Sequence, residues 1–408
     1  MIDFELTEAQ LAVQQMVHWF AENKVRPLAL QADRDHGYPE SLHRELLALG
    51  MSQGLVSAEG KEPEGVGGEP DRRGVKQTTR MALLAAEELA WGDPAVLTNI
   101  PGPGLGGPPV QAAGTPEQKE RFFSVFRDTS TPRWAAYALT EPGAGSDVAA
   151  ISTTARRYGD FYILNGTKCF ITNGARSSWV VVFATVDRSL GRAGHRAFVV
   201  EKGAPGFRVG RIEKKMGLHA QETAELVFED CRVPRENLLG GEAYYESKGS
   251  AGFKVAMQFF DTTRPMVAIL AVGIARAAFE EANRFIRESY DLRRPSARNG
   301  QIRDVLATME REVTAARLLA WKAGWMADVG IPNSKEASMA KAYAAGVGMR
   351  NCIRAVDLLG PQGVIRGSLV EKLFRDVKVF DIFEGTGQIQ RLIISRRIFE
   401  YSAASATG

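Results

Sequence analysis

Cysteine is scarce in this sequence, and long apolar runs are absent. The 408 residues include only three cysteines, Cys169, Cys231 and Cys352, which lie far apart and form no C-x-x-C pair. We therefore expect neither a disulfide framework nor a zinc site, and a reducing compartment, the cytoplasm, fits best. No window approaches eighteen uninterrupted apolar residues, so no membrane-spanning helix is expected. The start, "MIDFELTEAQ", predicts a helix rather than a signal or transit peptide.

An excess of charge of one sign is missing as well. The chain carries 51 lysines and arginines against 48 aspartates and glutamates, a formal net charge of +3. The basic residues are scattered, and the short clusters "RRP" and "SRR" are typical of solvated helix faces. The sequence therefore predicts no binding to nucleic acid or to a membrane surface. With 45% hydrophobic residues, the chain is long enough for two or three domains with large cores.

The periodicity of apolar residues divides the chain into three regions. Up to about residue 130 the spacing is helical, and Thr7 with Gln10 predicts a capping box at the first helix. Between about Arg133 and Gly240, short β-rich runs separated by glycine, asparagine and proline predict a compact antiparallel barrel or sandwich. Helical spacing then returns and predicts a bundle of four or five helices. We expect an α+β chain with a helical domain (1–130), a β domain (131–242) and a helical bundle (243–408).

One carboxylate interrupts an apolar run near the C-terminus, in "KVFDIFEGTGQIQR". Glu384 follows Ile382 and Phe383, and Gly385 and Thr386 come directly after it. Taken alone, this pattern favours a helix-capping or salt-bridged carboxylate. Burial among apolar side chains would also raise the pKa of Glu384 toward working pH, which suits a general base.

The stretch "YALTEPGAGSD", from Tyr137 to Asp147, ends a β-run in a glycine-rich loop. Gly143 and Gly145 leave backbone N–H groups and the Ser146 hydroxyl accessible to a phosphate-bearing ligand. An ordinary tight turn is favoured when the stretch is taken alone. It matches neither a Walker A loop nor the dinucleotide motif G-x-G-x-x-G.

A second β stretch, "NGTKCFITNGA", places Thr172 directly after Phe170 and Ile171. A hairpin with Asn-Gly turns at both ends explains this pattern without any ligand. Alternatively, a threonine and an aromatic residue at a strand end can hold a flat heterocycle, one by a hydrogen bond and the other by contact.

These stretches, followed in order by "FDTTRP" and "EGTGQIQR", resemble the acyl-CoA dehydrogenase family, most closely its medium-chain and short-chain members. The resemblance covers nearly the whole chain. It implies an N-terminal helical domain, a middle β-barrel and a C-terminal four-helix bundle. It also implies FAD between barrel and bundle, touching a neighbouring subunit of a homo-oligomer or hetero-oligomer. The substrate would be an acyl-CoA and the electron acceptor an electron-transferring flavoprotein.

The resemblance further implies roles for individual residues. Glu384 would remove the α-proton of the thioester while flavin N5 takes the β-hydrogen as hydride, giving a trans-2-enoyl-CoA. The implied cofactor-binding residues are Tyr137, Leu139, Thr140, Gly145, Ser146, Phe170, Thr172, Thr386 and Gln388. The implied substrate residues are Ser146, Asp261, Arg264 and Gly385. Some relatives carry the base at the position of Thr263, which cannot act as one.

The chain departs from the family pattern in the half-site that one subunit lends to the cofactor of its neighbour. In place of R-x-x-F-G the chain has "SYDLR", with Ser289 at the arginine position and Leu292 at the phenylalanine position. Pro361 replaces the second glycine of G-G-x-G, and Asp357 stands where a glutamine is common. An acidic group near a pyrophosphate is unfavourable unless it is offset.

Two hypotheses account for these departures. Either Arg293 or Arg294 supplies the missing charge after a small local shift, or a different subunit donates an intact half-site. His219 also stands where relatives often have arginine, and we expect it at a surface or an interface rather than as a ligand.

The glycine- and proline-rich segment "NIPGPGLGGPPV" replaces a stretch that helps to close the acyl pocket in the family. It offers little side-chain bulk, so it predicts either a wider pocket, for a branched or cyclic acyl group, or a plain rigid loop.

Two other functions remain open on the same scaffold. A flavin monooxygenase or oxidase is one, although such relatives tend to lose the glutamate that this chain keeps. A non-catalytic partner subunit is the other: the retained Glu384 argues against it, and the altered half-site argues for it.

Overall fold

The computed structural model describes residues 2, 4–49, 77–248 and 250–405. Along the chain it runs through helices, a curled sheet and helices again, which confirms the predicted α+β class. Within these ranges, every helix is too short or too polar to cross a bilayer. The three cysteines are free and buried.

The described N-terminal part is helical. Its helices are α1 (Glu8–Phe20), α2 (Ala29–Asp35), α3 (Glu40–Ala48), α4 (Thr78–Gly92), α5 (Val96–Asn99), α6 (Gly107–Ala113) and α7 (Pro116–Ser124). The predicted capping box begins α1: the Thr7 hydroxyl accepts the Gln10 N–H at 3.2 Å, and the Gln10 side chain accepts the Thr7 N–H at 3.1 Å. Thr115 and Gln118 cap α7 in the same way.

The middle part is one curled sheet. Its strands are β1 (Ala135–Ala138), β2 (Thr154–Tyr158), β3 (Phe161–Thr172), β4 (Trp179–Thr185), β5 (His195–Glu201), β6 (Phe207–Ile212) and β7 (Thr223–Pro234). They pair in the order β1-β4-β2-β3-β7-β6, and β5 pairs with β4. Most pairs are antiparallel, as predicted, but β4 runs parallel to β1 over four residue pairs. β4 also runs parallel to β2, because the β2–β3 hairpin reverses the chain and the connection after β3 reverses it again before β4 begins.

Two of these strands were not predicted as separate β-runs. The sequence of β2, "TARRY", is largely polar, and the side chains of β6, "FRVGRI", are mostly exposed. The β2 strand forms because a tight turn at Gly159, with φ +58°, pairs it with β3 from Tyr158 and Phe161 onward. The β6 strand pairs only with β7, at the edge of the sheet, and only its first residue, Phe207, packs against the core, stacked on Phe228.

The C-terminal part is helical. Its helices are α8 (Gly241–Lys248), α9 (Ala251–Ser289), α10 (Ala297–Asp328), α11 (Ser334–Leu359), α12 (Pro361–Val364), α13 (Leu369–Val377) and α14 (Gly387–Ser405). The predicted bundle is present, because α11 packs against α9, α10 and α14, and α9 packs against α10. The N-terminal α4 joins the same apolar core through buried residues such as Leu83 and Leu84. The predicted domain limits stay a prediction; the one at 130 precedes β1, and the one at 242 falls inside α8.

A buried ion pair ties the end of β1 to β3. The Lys168 ammonium lies 2.7 Å from the Glu141 carboxylate and donates to the Leu139 carbonyl at 2.9 Å. Glu141 also accepts the N–H groups of Ser152 and Thr153. Burial alone would raise the pKa of Glu141, but Lys168 and these hydrogen bonds lower it to about 2. Burial lowers the pKa of Lys168 to about 8, so both groups are charged at neutral pH.

We predict that Lys168→Met destabilises the protein by roughly 3–5 kcal/mol, because it leaves the Glu141 carboxylate buried without its counterion. The free energy of unfolding in urea measures this. Arg208→Met is the control, because it breaks an exposed pair with Glu229 and should change stability far less. Equal losses in the two variants would contradict the prediction.

Candidate active site

Glu384 lies between a short 3-10 turn, Lys378–Asp381, and the start of α14. Its φ of +54° is left-handed, and Gly385 follows with φ +86°. A non-glycine residue in this region is strained by on the order of 1–3 kcal/mol and persists only where its surroundings hold it. Here the Gln390 amide donates to the Glu384 carbonyl at 3.3 Å and to the Gly385 carbonyl at 3.0 Å. The Lys341 ammonium also donates to the Gly385 carbonyl, at 2.6 Å.

The Glu384 carboxylate is half-buried and hydrogen-bonded. Thr263, on α9, donates its hydroxyl to Glu384 Oε2 at 2.9 Å. Burial raises the pKa of Glu384, while the Thr263 hydrogen bond and the charges of Lys341 and Arg264 act against that rise. The pKa of Glu384 is thus raised overall, as the sequence predicted. Thr263, which stands where some relatives carry the base, is in hydrogen-bond contact with Glu384.

The apolar neighbours of Glu384 are divided between core and surface. Phe380 is buried and packs edge-on against the half-buried Phe383, with ring centroids 5.0 Å apart. Ile382 is exposed. The apolar run therefore buries one side of the segment and leaves the other side open.

The residues after the base belong to the start of α14. The Thr386 hydroxyl accepts the Ile389 N–H at 3.3 Å, so Thr386 caps the helix. Gln388 is exposed in the first turn. A Cβ added to Gly385 would lie 2.6 Å from the Gln390 side-chain nitrogen, so glycine is needed here for space as well as for its φ.

On the sheet side, the end of β1 lies beside the bulged part of β3. The Thr140 carbonyl accepts the Cys169 N–H at 2.9 Å, next to the contact between Leu139 and Lys168. The Tyr137 ring packs on Phe183, with centroids 5.1 Å apart. Burial, and then the negative charge of Glu384, raise the pKa of Tyr137 well above its usual value. The end of β1 therefore lies near Glu384.

Phe170 and Thr172 complete this sheet surface. Phe170 has φ +59° and leaves 63% of its surface exposed, which is unusual for an aromatic residue inside a strand. The Thr172 hydroxyl accepts a hydrogen bond from the Gln221 amide at 3.1 Å. Leu139 and Thr140 thus lie beside β3, the strand that carries Phe170 and Thr172, while Tyr137 lies close enough to Glu384 for its charge to act on the phenol.

The loop after β1 is a tight turn, the structure that the sequence of this stretch favours when taken alone. Glu141 and Ala144 exchange two backbone hydrogen bonds, at 3.1 and 3.2 Å. Gly145 and Ser146 then lie exposed. No hydrogen bond or electrostatic contact links them to Glu384 in the described structure.

Of the two remaining predicted substrate residues, one lies beside the base. Arg264 is buried on α9, close enough to Glu384 and Lys341 for its charge to affect the pKa of both. The side chain of Asp261 lies outside the described residues.

Two residues of the site were not predicted, Lys341 and Gln390. Both are completely buried, and both donate to the Gly385 carbonyl. The helical spacing of α11 and α14 gives no signal for them. A lysine in the mostly apolar "ASMAKAYAAG" is the one hint that the sequence offers.

Two of the residues that depart from the family pattern, Ser289 and Leu292, lie at and just after the end of α9. Ser289 ends α9 and, with Leu292 and Arg293, lines an open cleft of about 790 Å³. The Arg293 side chain is 93% exposed and, among the described residues, pairs only with Asp291, at 3.0 Å. Arg294 is also exposed. Both arginines can thus approach a bound anion, and the hypothesis about them stays a prediction.

The other altered positions have local structural roles. Pro361 begins α12 directly after Gly360, whose φ is +59°, and Asp357 is exposed on α11. His219 lies at an interface between elements: its ring stacks on His36 and lies 3.1 Å from the Asp33 carboxylate.

The glycine- and proline-rich segment packs closely on the sheet. A Cβ on Gly106 would lie 2.8 Å from the Trp179 ring and 2.9 Å from the Ala136 carbonyl. The segment therefore packs against β1 and β4, and its second half forms helix α6 rather than the plain loop that was the alternative expectation. A wider pocket beside it stays a prediction.

The residues present fit a flat cofactor that carries phosphates. Phe170 offers an exposed ring on β3, and Thr172 lies two residues further along the same strand. Thr140 bonds through its backbone to Cys169, the residue before Phe170. An aromatic ring and hydroxyl groups are what a polar heterocycle needs. No atom lies within 4 Å of where a Cβ would stand on Gly143 or Gly145, so a phosphate can approach that backbone. The site is thus compatible with the FAD implied by the sequence.

Known proteins of one family match this chain over nearly its whole length. Family models match the N-terminal, middle and C-terminal domains of acyl-CoA dehydrogenase at residues 7–126, 136–231 and 250–399. The short-chain specific acyl-CoA dehydrogenase of Clostridium acetobutylicum is 36% identical, over 98% of this chain and 100% of the relative.

Solved structures superpose closely. Butyryl-CoA dehydrogenase from Megasphaera elsdenii has a TM-score of 0.84 at 36% identity, over 98% of this chain and 100% of that one. A chain in the structure reported for the electron transferring flavoprotein of Acidaminococcus fermentans has a TM-score of 0.82 at 37% identity. That alignment covers 97% of this chain and 99% of the other.

We predict that Gly385→Ala destabilises the protein by about 1–2 kcal/mol, because alanine at this φ is strained and its Cβ displaces Gln390. The free energy of unfolding in urea measures the loss. Gly300→Ala, in the first turn of α10, has open space around its Cβ and should keep or slightly raise stability. If Gly385→Ala is as stable as Gly300→Ala, the tight turn is not constrained as described.

Proposed function

The chain belongs to the acyl-CoA dehydrogenase family, and on this premise we propose that Glu384 is the base that removes the α-proton of an acyl-CoA thioester. The family reaction is the FAD-dependent α,β-dehydrogenation of acyl-CoA, and this chain is an oxidoreductase of that type. One observation carries the proposal: a half-buried carboxylate in a strained turn faces both α9 and the end of β1.

The surroundings of Glu384 suit proton transfer. A thioester α-proton is too weakly acidic for a fully solvated carboxylate to remove quickly, and burial raises the pKa of Glu384 to reduce this mismatch. Thr263 holds Oε2, which leaves Oε1 to receive the proton. The Glu384 backbone N–H is proposed to hydrogen-bond the thioester oxygen, where negative charge develops as the proton leaves.

The cofactor is FAD, which supplies the acceptor for the β-hydrogen when bound. We propose that two sets of residues hold it. The ring set is Tyr137, Leu139, Thr140, Phe170 and Thr172, and the further set is Gly145, Ser146, Thr386 and Gln388. The hydrogen bond between the Cys169 N–H and the Thr140 carbonyl supports the first set, because it joins the end of β1 to the part of β3 that carries Phe170 and Thr172.

We propose a short acyl-CoA as the substrate, giving the trans-2-enoyl thioester. Relatives named for short-chain acyl groups and for butyryl-CoA support this choice. Arg264, Asp261, Gly385 and Ser146 stay the proposed substrate contacts, and Arg264 has the strongest support because it lies beside the base.

We further propose an electron-transferring flavoprotein as the acceptor, and the cytoplasm as the location. The alignment with a chain from the structure reported for such a flavoprotein supports the first. A homo-oligomer, dimer or tetramer, is proposed for the assembly. Exposed apolar side chains on α14, including Leu392 and Ile398, support a packed partner there.

We predict that Glu384→Gln slows anaerobic bleaching of the bound flavin by butyryl-CoA at least about 100-fold, because the amide cannot accept the α-proton. Stopped-flow absorbance measures the rate. Glu120→Gln, on the exposed surface of α7, is the matched control and should match the wild type. Wild-type rates in Glu384→Gln would exclude Glu384 as the base.

The same assay separates the two alternative functions. Flavin reduction by NADPH with consumption of oxygen would indicate a monooxygenase instead. A chain that binds no flavin, even with a companion subunit, would indicate a non-catalytic partner.

For the assembly, we predict that the chain expressed alone forms a homo-oligomer with one FAD per chain, because its exposed arginines can supply the charge that Ser289 lacks. Size-exclusion chromatography with mass analysis and a flavin absorbance ratio measure this. A monomer without flavin that gains flavin only with a second subunit would favour the hetero-oligomer.

A further inference from the structure

We propose that Lys341 is a positioning residue for the base: its ammonium group holds the Glu384–Gly385 turn and supplies a positive charge that favours the ionised form of Glu384. The inference rests on the proposed role of Glu384 and extends it to a side chain that does not touch the substrate.

Lys341 lies in an unusual place for a lysine, the buried interior of the protein. It lies on α11 with 0% of its surface exposed, and a buried ammonium group is unfavourable unless it is compensated. Its one hydrogen bond in the described structure is to the Gly385 carbonyl, at 2.6 Å. The bond crosses from the centre of the bundle to the residue directly after the base. Lys341 is therefore directed at the turn rather than at a partner on its own helix.

The turn depends on two donors. Gln390 donates a single amide group to both carbonyls, those of Glu384 and Gly385, at 3.3 and 3.0 Å. Lys341 provides the shorter of the two bonds to Gly385. Without it, one amide would have to hold both carbonyls of a left-handed pair. Loss of Lys341 should therefore loosen the orientation of the carboxylate.

The charge of Lys341 acts on Glu384 together with the charges and hydrogen bonds of a few neighbouring groups. Facing Glu384 are Arg264 and the Thr263 hydroxyl on α9, the Tyr137 phenol on β1, and Lys341 on α11. Asp381 lies near Lys341 and partly offsets its charge. Burial lowers the pKa of Lys341 to about 8, so it stays protonated at neutral pH. Removing it leaves Arg264 as the one cation among these groups, and the pKa of Glu384 should rise.

The test compares three substitutions in the flavin-loaded enzyme. Lys341→Met removes donor and charge, Lys341→Gln keeps a donor without the charge, and Lys341→Arg keeps both. The acid limb of kcat/KM for butyryl-CoA should move to higher pH by about one unit or more in the Met and Gln variants, and stay in place in Arg. Lys322→Met, which removes an exposed ammonium from α10, is the matched control and should not move it.

A second readout does not depend on turnover. The infrared band of a protonated carboxylic acid, assigned to Glu384 by its loss in Glu384→Gln, should titrate at the same shifted pH in the Met and Gln variants. A merely structural role would lower activity or stability without moving this titration. Flavin absorbance and circular dichroism identify any variant that fails to fold, and the remaining variant still decides the question.

The outcomes separate this inference from the proposal beneath it. Wild-type titration of Glu384 in both Lys341→Met and Lys341→Gln, with Glu384→Gln inactive, overturns the role of Lys341 alone. An active Glu384→Gln overturns the proposed base itself, whatever the Lys341 variants do.

Discussion

The proposed chemistry depends on one constraint: a carboxylate must be withdrawn from water enough to become a stronger base and still stay free to ionise. The chain meets it by placing Glu384 in a left-handed turn at the junction of bundle and sheet. Burial raises the pKa of the carboxyl group, and a hydroxyl and two cations limit that rise.

Different interactions hold the bundle side and the sheet side of the site. On the bundle side, buried donors act on the backbone carbonyls of Glu384 and Gly385. On the sheet side, the buried ion pair of Glu141 and Lys168 fixes the end of β1 against β3. In both places a non-glycine residue, Glu384 or Phe170, has a positive φ. Strained backbone of this kind persists because rigid surroundings determine it, and it lies where the chemistry is proposed.

Much of this could be predicted from the sequence, and the remainder has physical reasons. Helical and β periodicity predicted the three regions, because apolar faces must be buried whichever partner covers them. The resemblance drew attention to Glu384, Thr172 and Phe170. The sequence did not predict a role for Lys341, because a lysine in a helix is normally solvated. Only the packing of α11 against the Glu384–Gly385 turn buries this one. The polar β2 strand was not predicted either, because its pairing comes from a turn rather than from its own side chains.

The central claim is that one carboxylate exchanges a proton with the α-carbon of the substrate. The most direct measurement follows, by NMR, the exchange of the α-hydrogens of butyryl-CoA with deuterium from the solvent, across a range of pH. The account predicts exchange that rises with pH along a single ionisation and disappears when Glu384 is replaced by glutamine. Exchange that continues at the same rate in that variant would contradict it.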